Sequence, residues 1–500
     1  MNIEELVAFA KQRGFFWPSA EIYGGASGIY DYGNTGYLLK KRFESAWVSF
    51  FVDTNPDYHV IEGSTILPEA PLVSSGHASM FNDIIVGCSK CNAFYRADVL
   101  LSDYKIKVSE GATPGEIDSL IRENKIKCPK CKSTSFSGAK MFNMMLEVRL
   151  GPEKAEKGYL RPETAQSSFL NFFREYNILR KSLPLGLAII GRAYRNEISP
   201  RQGLYRLREL TQAELQIFFD PAVYRKGTAH LRDRKLNVWL YNAGAQASIT
   251  VGELVEKHSV PEFYAYHMCM IDSFYKEVMG IHPERIRFFE KGGNEKAFYN
   301  KLHMDIEVEV ESWGGFREVG GLHYRGDYDL TQHGKGSKQD MGVLSSGQKV
   351  IPNVLELSFG VDRNVWMLID VLMRKDGERS VLSLPYYLAP YNLAIFGLQK
   401  DKEIDDMVQS LYKRLRPKFK VFLDSSGSIG RRYARMDELG TPFCVTVDYE
   451  SVKKDSGKLN TFTVRIRDDK SQVRLGAEEI EPFLAKELSM DPYKLFSFDQ

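Results

Sequence analysis

The fold is decided by two stretches of sequence, Ala188-Ile-Ile-Gly-Arg-Ala-Tyr-Arg-Asn-Glu197 and Leu210-Thr-Gln-Ala-Glu-Leu-Gln-Ile-Phe-Phe219. Both have the composition and alternation of β-strands, and a polar loop joins them, so they are predicted to form a hairpin. Successive side chains of a strand point to opposite faces, which puts Arg195 and Glu197 on one face. The polar face of the second strand carries Gln212, Glu214 and Gln216, and its apolar face carries Ala213, Leu215, Ile217 and Phe219.

The loop of this hairpin is rich in arginine. It contains Arg201, Arg206 and Arg208. A salt-bridged surface hairpin would explain such a pattern. Charged groups gathered on one sheet face and its loop fit better as a pocket for a polyanion, and that interpretation is favoured here.

Length and composition are those of an ordinary globular protein. The chain has 500 residues, 43% of them hydrophobic and 26% charged, enough for about two to four domains. The net charge of +2 means that any basic surface must be local. No apolar run approaches the length of a transmembrane helix. Residues 1–14 have early acids and are predicted to form an amphipathic helix, not a signal peptide, so a cytoplasmic location is expected.

Four of the six cysteines form two Cys-x2-Cys pairs. Cys88 and Cys91 are separated by 36 residues from Cys128 and Cys131. Two such pairs can place four thiolates tetrahedrally around Zn²⁺, and four sulfur ligands leave no open position. Disulfides or free thiols are the alternative, although a cytosolic chain disfavours disulfides. A structural zinc site is therefore predicted.

Apolar spacing divides much of the remaining chain into elements. Residues 36–52 have helical spacing, and residues 303–311 alternate strictly, as a strand does. Residues 144–220 are predicted to alternate strand and loop, and a helical run lies near 261–280. Further strands are predicted at 392–398, 419–424, 442–448 and 461–467. The helical patterns between them indicate a C-terminal α/β module.

A third group of polar residues lies within residues 352–370. The segment is predicted to form a strand, a turn and a helix, with Glu356 and Ser358 on one strand face. Gly360 permits the tight turn. Arg363 would then lie beside the helix N-terminus, where anionic ligands are favoured. A core strand and helix with one exposed arginine is the alternative interpretation.

Taken in order, these segments resemble the three motifs of class II aminoacyl-tRNA synthetases. The helix and strand ending at Pro68 resemble the first motif, the hairpin around Arg195 the second, and the turn at Gly360–Arg363 the third. The match narrows to the homodimeric glycyl-tRNA synthetases and covers nearly the whole chain. The family-specific segments are Phe15–Ser19 with Gly24–Gly28, Arg161–Gln166, Arg195–Leu204 and Asp327–Leu330.

This resemblance implies an α+β multidomain fold. A class II antiparallel-sheet catalytic core would carry a zinc-ribbon insertion and be followed by a C-terminal α/β anticodon-binding domain. The implied boundaries are 1–85 and 141–378 for the core, 86–140 for the zinc ribbon and 381–500 for the anticodon-binding domain. A further insertion is expected at about 225–300.

The resemblance also implies a glycine–tRNA ligase activity. Such an enzyme uses ATP as a substrate, with Mg²⁺, to convert glycine to glycyl-adenylate and then transfers glycine to the 3′ end of tRNA(Gly). It would hold a structural Zn²⁺ and act as a homodimer. Arg195, Glu197 and Arg363 are implied as catalytic residues: Arg195 holds the α-phosphate and Glu197 helps place the adenine.

Further site residues follow by position in the family motifs. ATP binding is implied for Arg195, Asn196, Glu197, Tyr205, Arg206, Leu207, Arg208, Glu209, Leu210, Glu318, Val319, Gly360, Val361, Asp362 and Arg363. Glycine binding is implied for Arg96, Glu163, Gln212, Glu214, Arg325, Glu356 and Ser358, with Arg96 and Arg325 near the substrate carboxylate. Metal binding is implied for Cys88, Cys91, Cys128 and Cys131. Arginines suited to tRNA phosphates are Arg431, Arg432, Arg435, Arg465 and Arg467, for which a solvated basic face is the alternative.

Three other functions remain open from the sequence. The chain could activate another amino acid, such as threonine or proline, although the set of Glu163, Glu214 and Ser358 argues against this. It could be an inactive relative that binds nucleic acid, although it keeps Arg195, Glu197 and Arg363 together. It could also be a zinc-ribbon RNA-binding protein without catalysis, for which the long ordered core would be surplus.

Overall fold

A computed structural model describes residues 1–106, 108, 111–152, 156–180, 182–198, 200, 203–292 and 300–496. The α-helices are α1 (Ile3–Gln12), α2 (Asn34–Phe51), α3 (Glu69–Ser74), α4 (His77–Met80), α5 (Ala97–Ser102), α6 (Pro114–Glu123), α7 (Ala165–Ile178), α8 (Val251–His258), α9 (Glu262–Ser273), α10 (Tyr328–Ser337), α11 (Val361–Leu372), α12 (Lys402–Leu415), α13 (Ile429–Glu438), α14 (Tyr449–Val452), α15 (Ala477–Glu487) and α16 (Pro492–Leu495).

The first half of the strands, in chain order, comprises β1 (Phe16–Pro18), β2 (Tyr30–Tyr32), β3 (Tyr58–Val60), β4 (Ile66–Pro68), β5 (Asn82–Gly87), β6 (Phe94–Arg96), β7 (Lys140–Asn143), β8 (Leu146–Leu150), β9 (Glu156–Leu160), β10 (Leu185–Tyr194), β11 (Glu209–Phe219), β12 (Lys235–Leu240) and β13 (Ala245–Thr250). The second half comprises β14 (Ile286–Glu290), β15 (Leu302–Val310), β16 (Gly315–Gly326), β17 (Val343–Ser345), β18 (Gln348–Val350), β19 (Asn353–Gly360), β20 (Met373–Asp376), β21 (Arg379–Leu382), β22 (Leu393–Gly397), β23 (Val421–Leu423), β24 (Phe443–Val447), β25 (Thr461–Ile466) and β26 (Gln472–Gly476).

A nine-stranded sheet is the largest sheet of the described residues. Its strand order is β13-β12-β14-β15-β16-β19-β11-β10-β3. The block from β14 to β10 is antiparallel throughout, whereas β12 pairs with β14, and β3 with β10, in parallel. The predicted hairpin is confirmed as β10–β11, in which Ile189 pairs with Glu214. Because β11 also pairs with β19, the second and third motifs lie side by side in the sheet.

Helix α2 packs against this sheet through its apolar side. Leu39, Phe43 and Trp47 are buried and recur every four residues, which places them on one helix face. The Trp47 ring meets Phe359 of β19 edge-on, with centroids 6.0 Å apart. The helix predicted over residues 36–52 is therefore confirmed, and its burial holds the back of the sheet while the opposite face carries polar groups.

Residues 82–143 contain a small lobe with its own core. Strands β6, β5 and β7 form a three-stranded sheet, and α5 and α6 pack on it through Leu100, Leu101 and Ile117. The two Cys-x2-Cys pairs contribute to the same core. The lobe therefore has the independent packing that a metal-braced insertion needs.

The C-terminal module contains a five-stranded sheet in the order β23-β22-β24-β25-β26. The four predicted strands are confirmed, and β26 is an additional edge strand. Its core contains Leu393, Ile395, Leu411 and Val445. Helices α12, α13 and α15 complete an α/β unit of the predicted kind.

Other parts of the sequence-based expectation differ from the structure. The segment 144–220 contains a 14-residue helix, α7, whose buried Phe169, Phe172 and Tyr176 have helical spacing. Strands β12, β13 and β14, which lie in the insertion expected at about 225–300, extend the central sheet. Among the described helices, none is long and apolar enough to cross a bilayer.

Candidate active site

A cleft lies on the sheet face formed by β11, β19 and β16. Strand register sets its floor, because side chains directly opposite one another across strands lie on the same face. Ser358 pairs with both Glu214 and Gly321, and Glu356 pairs with both Gln216 and His323. Two rows of side chains therefore cross the three strands. The cleft runs from this floor to the ends of β10 and β19, where the polypeptide turns.

Two arginines lie at one end of the cleft. Arg195 follows β10, donates from Nε to the Pro162 carbonyl at 3.2 Å, and lies 5.5 Å from the centroid of the Phe81 ring. Arg363 lies in the first turn of α11 and stacks on the Tyr205 ring at 4.6 Å. Both line the same cavity. The two arginines of separate motifs thus converge, and we call this part the nucleotide end after the ligand that the family resemblance implies there.

Asp362 and Glu318 surround Arg363. Asp362 accepts from the backbone N–H of Thr211 at 2.5 Å and from the Tyr32 hydroxyl at 2.6 Å, which fixes the start of α11 beside β11. Glu318 Oε1 lies 2.9 Å from Arg363 Nη1, and its side chain is 42% exposed. The Glu318 carboxylate is accessible from the cleft, whereas both carboxylate oxygens of Asp362 accept hydrogen bonds from the protein.

Glu197 is buried at the edge of the nucleotide end. Its Oε2 has no hydrogen-bond partner among the described residues. Arg96 Nη1 lies 4.0 Å from that oxygen and 2.9 Å from Asp83, and Arg96 Nη2 pairs with Asp98 at 2.7 Å. Arg96 therefore brings the small lobe next to Glu197, behind the cleft lining.

Three carboxylates are buried at the other end, which we call the amino-acid end. Glu214 accepts from Thr164 Oγ1 at 2.5 Å, from Gln212 Nε2 at 2.9 Å and from Ser358 Oγ at 2.8 Å. The remaining two, Glu163 and Glu356, accept from Gln166 and Gln216 respectively. Each carboxylate lines the cleft.

Arg325 holds these carboxylates from behind. It is 1% exposed, donates to both oxygens of Asp329 at 2.8 and 2.9 Å, and donates from Nη1 to Glu356 at 2.8 Å. Its Nη2 lies 3.7 Å from Glu163 Oε1. Among the described residues that line the cleft, Arg325 is not included. Its donors serve protein carboxylates, which differs from the implied contact with a substrate carboxylate.

Three negative charges near one guanidinium shift the pKa values of the cluster apart. Burial raises the pKa of Glu356 to about 8, and the neighbouring Glu214 and Glu163 add to the rise against Arg325. Burial and the charge of Glu163 also raise the pKa of Glu214. For Glu163, burial is outweighed by His77 and Arg325, which lower its pKa. The free site therefore favours fewer than three ionised carboxylates.

His323 is a cleft residue that the sequence reasoning missed. Its imidazole lines the amino-acid end, and burial keeps its pKa well below the ordinary value. It also neighbours Glu356, with 3.6 Å between Nε2 and Oε1. Only the strand register places His323 next to Glu356, because the two residues lie on different strands and no local sequence pattern relates them.

Most of the implied site residues meet in this cleft. Those that line it are Glu163, Arg195, Glu197, Tyr205, Arg206, Leu207, Leu210, Gln212, Glu214, Glu318, Glu356, Ser358, Gly360, Asp362 and Arg363. Among described residues, those that lie outside the lining are Arg96, Asn196, Arg208, Glu209, Val319, Arg325 and Val361. Arg208 has a local structural role, because its Nε donates to the Glu197 carbonyl at 2.9 Å. Arg201 lies outside the described residues.

The four paired cysteines converge in the small lobe. Their sulfur atoms all lie within 4.8 Å of one another, and the Cys88–Cys131 and Cys91–Cys128 separations are 3.5 and 3.6 Å. Tetrahedral Zn–S bonds of about 2.3 Å require sulfur atoms roughly 3.8 Å apart. The donor set and its spacing therefore fit zinc. Cys269 and Cys444 are buried elsewhere as free thiols.

The arginines suggested for tRNA binding have different surroundings. Arg431 is exposed. Arg435 is partly exposed and pairs with Asp424. The other three, Arg432, Arg465 and Arg467, are at most 6% exposed. Arg465 pairs with Asp437, and Arg467 donates to the Leu384 and Gly440 carbonyls. The structure therefore buries these three arginines in the domain interior and does not expose them to solvent.

Two family models match the chain. Residues 149–371 match the model described as tRNA synthetase class II core domain (G, H, P, S and T). Residues 392–487 match the anticodon binding domain. Together they cover the central sheet except its edge strand β3, and most of the C-terminal module, which confirms the predicted core and anticodon-binding architecture.

Curated relatives match over almost the full length. The glycine–tRNA ligase of Aeropyrum pernix is 34% identical, with 95% of each chain covered. That of Mesoplasma florum is 35% identical over 96% of this chain and 99% of the relative. Among solved structures, prolyl-tRNA synthetase from Cryptosporidium parvum, complexed with L-proline and AMP, has a TM-score of 0.57 and 13% identity, covering 98% of this chain and 76% of that one; this likeness concerns the fold alone. On sequence identity and coverage, the chain belongs to the glycine–tRNA ligase family of class II aminoacyl-tRNA synthetases.

Proposed function

We propose that the cleft activates glycine with ATP and transfers it to the 3′ end of tRNA(Gly). In the first step the glycine carboxylate attacks the α-phosphorus of ATP, which forms glycyl-adenylate and expels pyrophosphate. In the second, a ribose hydroxyl of the tRNA terminus attacks the activated carbonyl and AMP leaves. The observation that carries this proposal is one cavity with Arg195 and Arg363 at one end and three buried carboxylates at the other.

Charge neutralisation is the main demand of the first step. Two anions must approach each other, and fixed cations lower that barrier without reorganising during the reaction. Arg195 would hold the α-phosphate and Arg363 the outer phosphates. Mg²⁺ suits oxygen ligands, and the accessible Glu318 carboxylate is a candidate to hold it beside the phosphates, where it would neutralise further charge.

No general base is assigned to this chemistry. The attacking carboxylate is already ionised and pyrophosphate is a good leaving group, so positioning and electrostatics carry the rate. Glu197 would place the adenine, as its family position implies, with Arg96 beside it. Arg325 would act by orienting Glu356 and Glu163, given that its donors are directed to carboxylates.

The amino-acid end fits an ammonium group with little beyond it. Glu163, Glu214 and Glu356 supply negative charge around a small space. Ser358 donates to Glu214 and is held where a substrate side chain would begin. Glycine can be selected over every larger amino acid by clash alone, which is a stronger filter than the absence of a methylene.

The remaining modules complete the proposed enzyme. A structural Zn²⁺ on Cys88, Cys91, Cys128 and Cys131 would brace the small lobe. The C-terminal module would recognise the tRNA anticodon, with Arg431 as an exposed cation on α13. We further propose a homodimer and a cytoplasmic location, both carried over from the family resemblance. Light scattering should give twice the chain mass of 57.1 kDa, and metal analysis about one zinc per chain.

The decisive experiment is ATP–pyrophosphate exchange with each of the twenty amino acids. Exchange should depend on glycine. The protein should then attach glycine to tRNA(Gly), and periodate treatment of the tRNA beforehand should prevent this attachment. Exchange with threonine or proline in place of glycine would favour another specificity. No exchange with any amino acid, from folded and zinc-loaded protein, would favour the inactive relative.

A further inference from the structure

Two histidines whose rings are in contact border the amino-acid end and have no part in the proposed reaction. The rings of His303 on β15 and His323 on β16 have centroids 4.1 Å apart. His323 lines the cleft, and its side chain is 14% exposed. His323 takes part in no step of the proposed reaction, so its place in the cleft lining needs another explanation.

The position of His323 over the floor follows from strand register. His323 is opposite Glu356, and Gly321 is opposite Ser358. A Cβ placed on Gly321 would lie 2.4 Å from His323 Nε2. The imidazole therefore lies over Gly321, in the space that the missing side chain leaves, and next to the strand that carries Ser358.

Neighbouring groups hold the ring in this place. Asn300 Nδ2 lies 3.0 Å from His323 Nδ1. On the neighbouring strand, His303 Nε2 lies 3.0 Å from Asp305, and Asp305 also binds Lys291 at 2.9 Å. The His323 ring, held by contact with His303 and by the hydrogen bond at Nδ1, acts as a wall, because moving it would disrupt buried polar contacts.

We propose that His323 is a specificity-determining residue that fills the space a substrate side chain would need. The inference rests on the proposed function, and it assigns to this ring the exclusion of amino acids that carry a Cβ. Ser358 is small and committed to Glu214, so it narrows the subsite at one point only. The neighbouring imidazole occupies the space above Gly321 and lies 3.6 Å from Glu356.

Truncation of the ring tests the proposal. His323→Ala should raise the ratio of kcat/KM for alanine to kcat/KM for glycine in ATP–pyrophosphate exchange by at least about tenfold, the lower end of what one methylene discriminates. Serine should gain in the same direction. His323→Phe keeps a ring of similar size and should leave the ratio near that of the unchanged protein, although glycine turnover can fall.

Two further variants make the outcome decisive. His282→Ala removes an exposed imidazole, 66% exposed, and should leave both substrates unaffected. If circular dichroism shows that His323→Ala is unfolded, His323→Asn takes its place, with the same expected direction. An alanine-to-glycine ratio that stays within twofold in the folded variant overturns the proposal.

Failure of the inference can be told apart from failure of the proposed function. If the unchanged protein shows no glycine-dependent exchange, the proposed function is wrong. If it shows glycine-dependent exchange and truncation leaves the ratio unchanged, the function stands and the role of His323 is refuted. A ratio that rises equally in His323→Ala and His323→Phe also refutes it, since bulk would then not be the cause.

Discussion

The two ends of the cleft handle charge in opposite ways. At the nucleotide end, Arg195 and Arg363 are partly exposed, with the Arg363 side chain 24% exposed. At the amino-acid end, Glu163, Glu214 and Glu356 are buried and each accepts hydrogen bonds from neighbouring side chains. The first end is built to meet a charged ligand, and the second is already a closed network of protein charges.

This difference separates the demands of binding from those of folding. Partly exposed cations are still partly hydrated, so removing one should impair catalysis and spare the fold. A buried charge that loses its partner is left uncompensated, which destabilises the folded state directly. Substitutions at the nucleotide end should therefore lower catalytic activity, whereas substitutions at the amino-acid end should lower the stability of the fold.

The largest effect is expected from Arg325→Met at the amino-acid end. The variant leaves the buried Asp329 carboxylate without its guanidinium partner and removes a hydrogen-bond donor from Glu356. Breaking a buried pair in this way typically costs about 3–5 kcal/mol. Urea unfolding followed by circular dichroism should show a loss of that size in the unfolding free energy of the catalytic core.

An exposed pair in the same domain provides the control. Arg232 pairs with Glu256, and both side chains are at least half exposed. Surface pairs contribute about 0–1 kcal/mol, so Arg232→Met should change stability little. If the two variants lose equal stability, or Arg325→Met loses less than about 1 kcal/mol, the closed-network description of the amino-acid end is wrong.

Arg195→Ala at the nucleotide end should show the reverse pattern. Removing one preorganised donor from a developing charge typically lowers the rate by about 10²–10³-fold. Glycine-dependent ATP–pyrophosphate exchange should fall by that order, with unfolding midpoints unchanged. Near-normal exchange from folded protein would remove Arg195 from the phosphate site.

Arg174→Ala is the matched arginine control for this rate measurement. Arg174 is exposed on α7, so its removal should leave the exchange rate unchanged. A comparable loss of rate in both variants would point to an effect of net charge on ATP association, not to a contact at the α-phosphate.

Two of the elements that carry the cleft residues were predictable from local sequence. Alternation along Leu210–Phe219 identified β11 and its polar face, and helical spacing after Gly360 identified α11. The convergence of Arg195 with Arg363 was implied by resemblance to the family, since no local pattern relates residues so far apart. Helix α7 was missed although Phe169, Phe172 and Tyr176 had the spacing of a buried helical face.

The failures concern which face of an element meets solvent. Alternation separates the two faces of a strand but does not tell which one another element covers. Arg465 thus received an RNA-binding interpretation, whereas α13 covers it and supplies Asp437 as its partner. The family resemblance places Arg325 near the substrate carboxylate, and this stays a prediction; its buried contact with Asp329 could be found only from the fold. His323 was missed for the same reason.

The next-largest effect is expected in the pH dependence of kcat/KM for glycine. Burial, with Glu214 and Glu163 adding to it, raises the pKa of Glu356 to about 8 from an ordinary 4.5, so the free site holds a proton at neutral pH. Bound glycine keeps its ammonium group and favours the ionised carboxylate. The kcat/KM for glycine should therefore rise with pH up to about 8, by at most about tenfold per pH unit.

The raised pKa of Glu356 also makes the stability of the folded state fall as pH rises. Between about pH 4.5 and 8 the folded state holds a proton that the unfolded state has lost, so the contribution of Glu356 is full below about 4.5 and is lost as pH rises through about 8. Glu309→Gln, which removes an exposed carboxylate on β15, should leave the glycine profile unchanged. A flat profile between pH 6 and 8 would contradict the coupling.

The smallest effect is expected from Ser358→Gly, which changes the shape of the amino-acid end while leaving its charges in place. Ser358 donates to Glu214 at 2.8 Å, and removing its side chain frees the space of one small group in the subsite. Adenylate formation with alanine relative to glycine should rise by less than about tenfold, the lower end of what one methylene discriminates, since the imidazole of His323 still occupies the adjoining space. An unchanged ratio would mean that Ser358 orients Glu214 without limiting substrate size, and the filter would then lie with the ring alone.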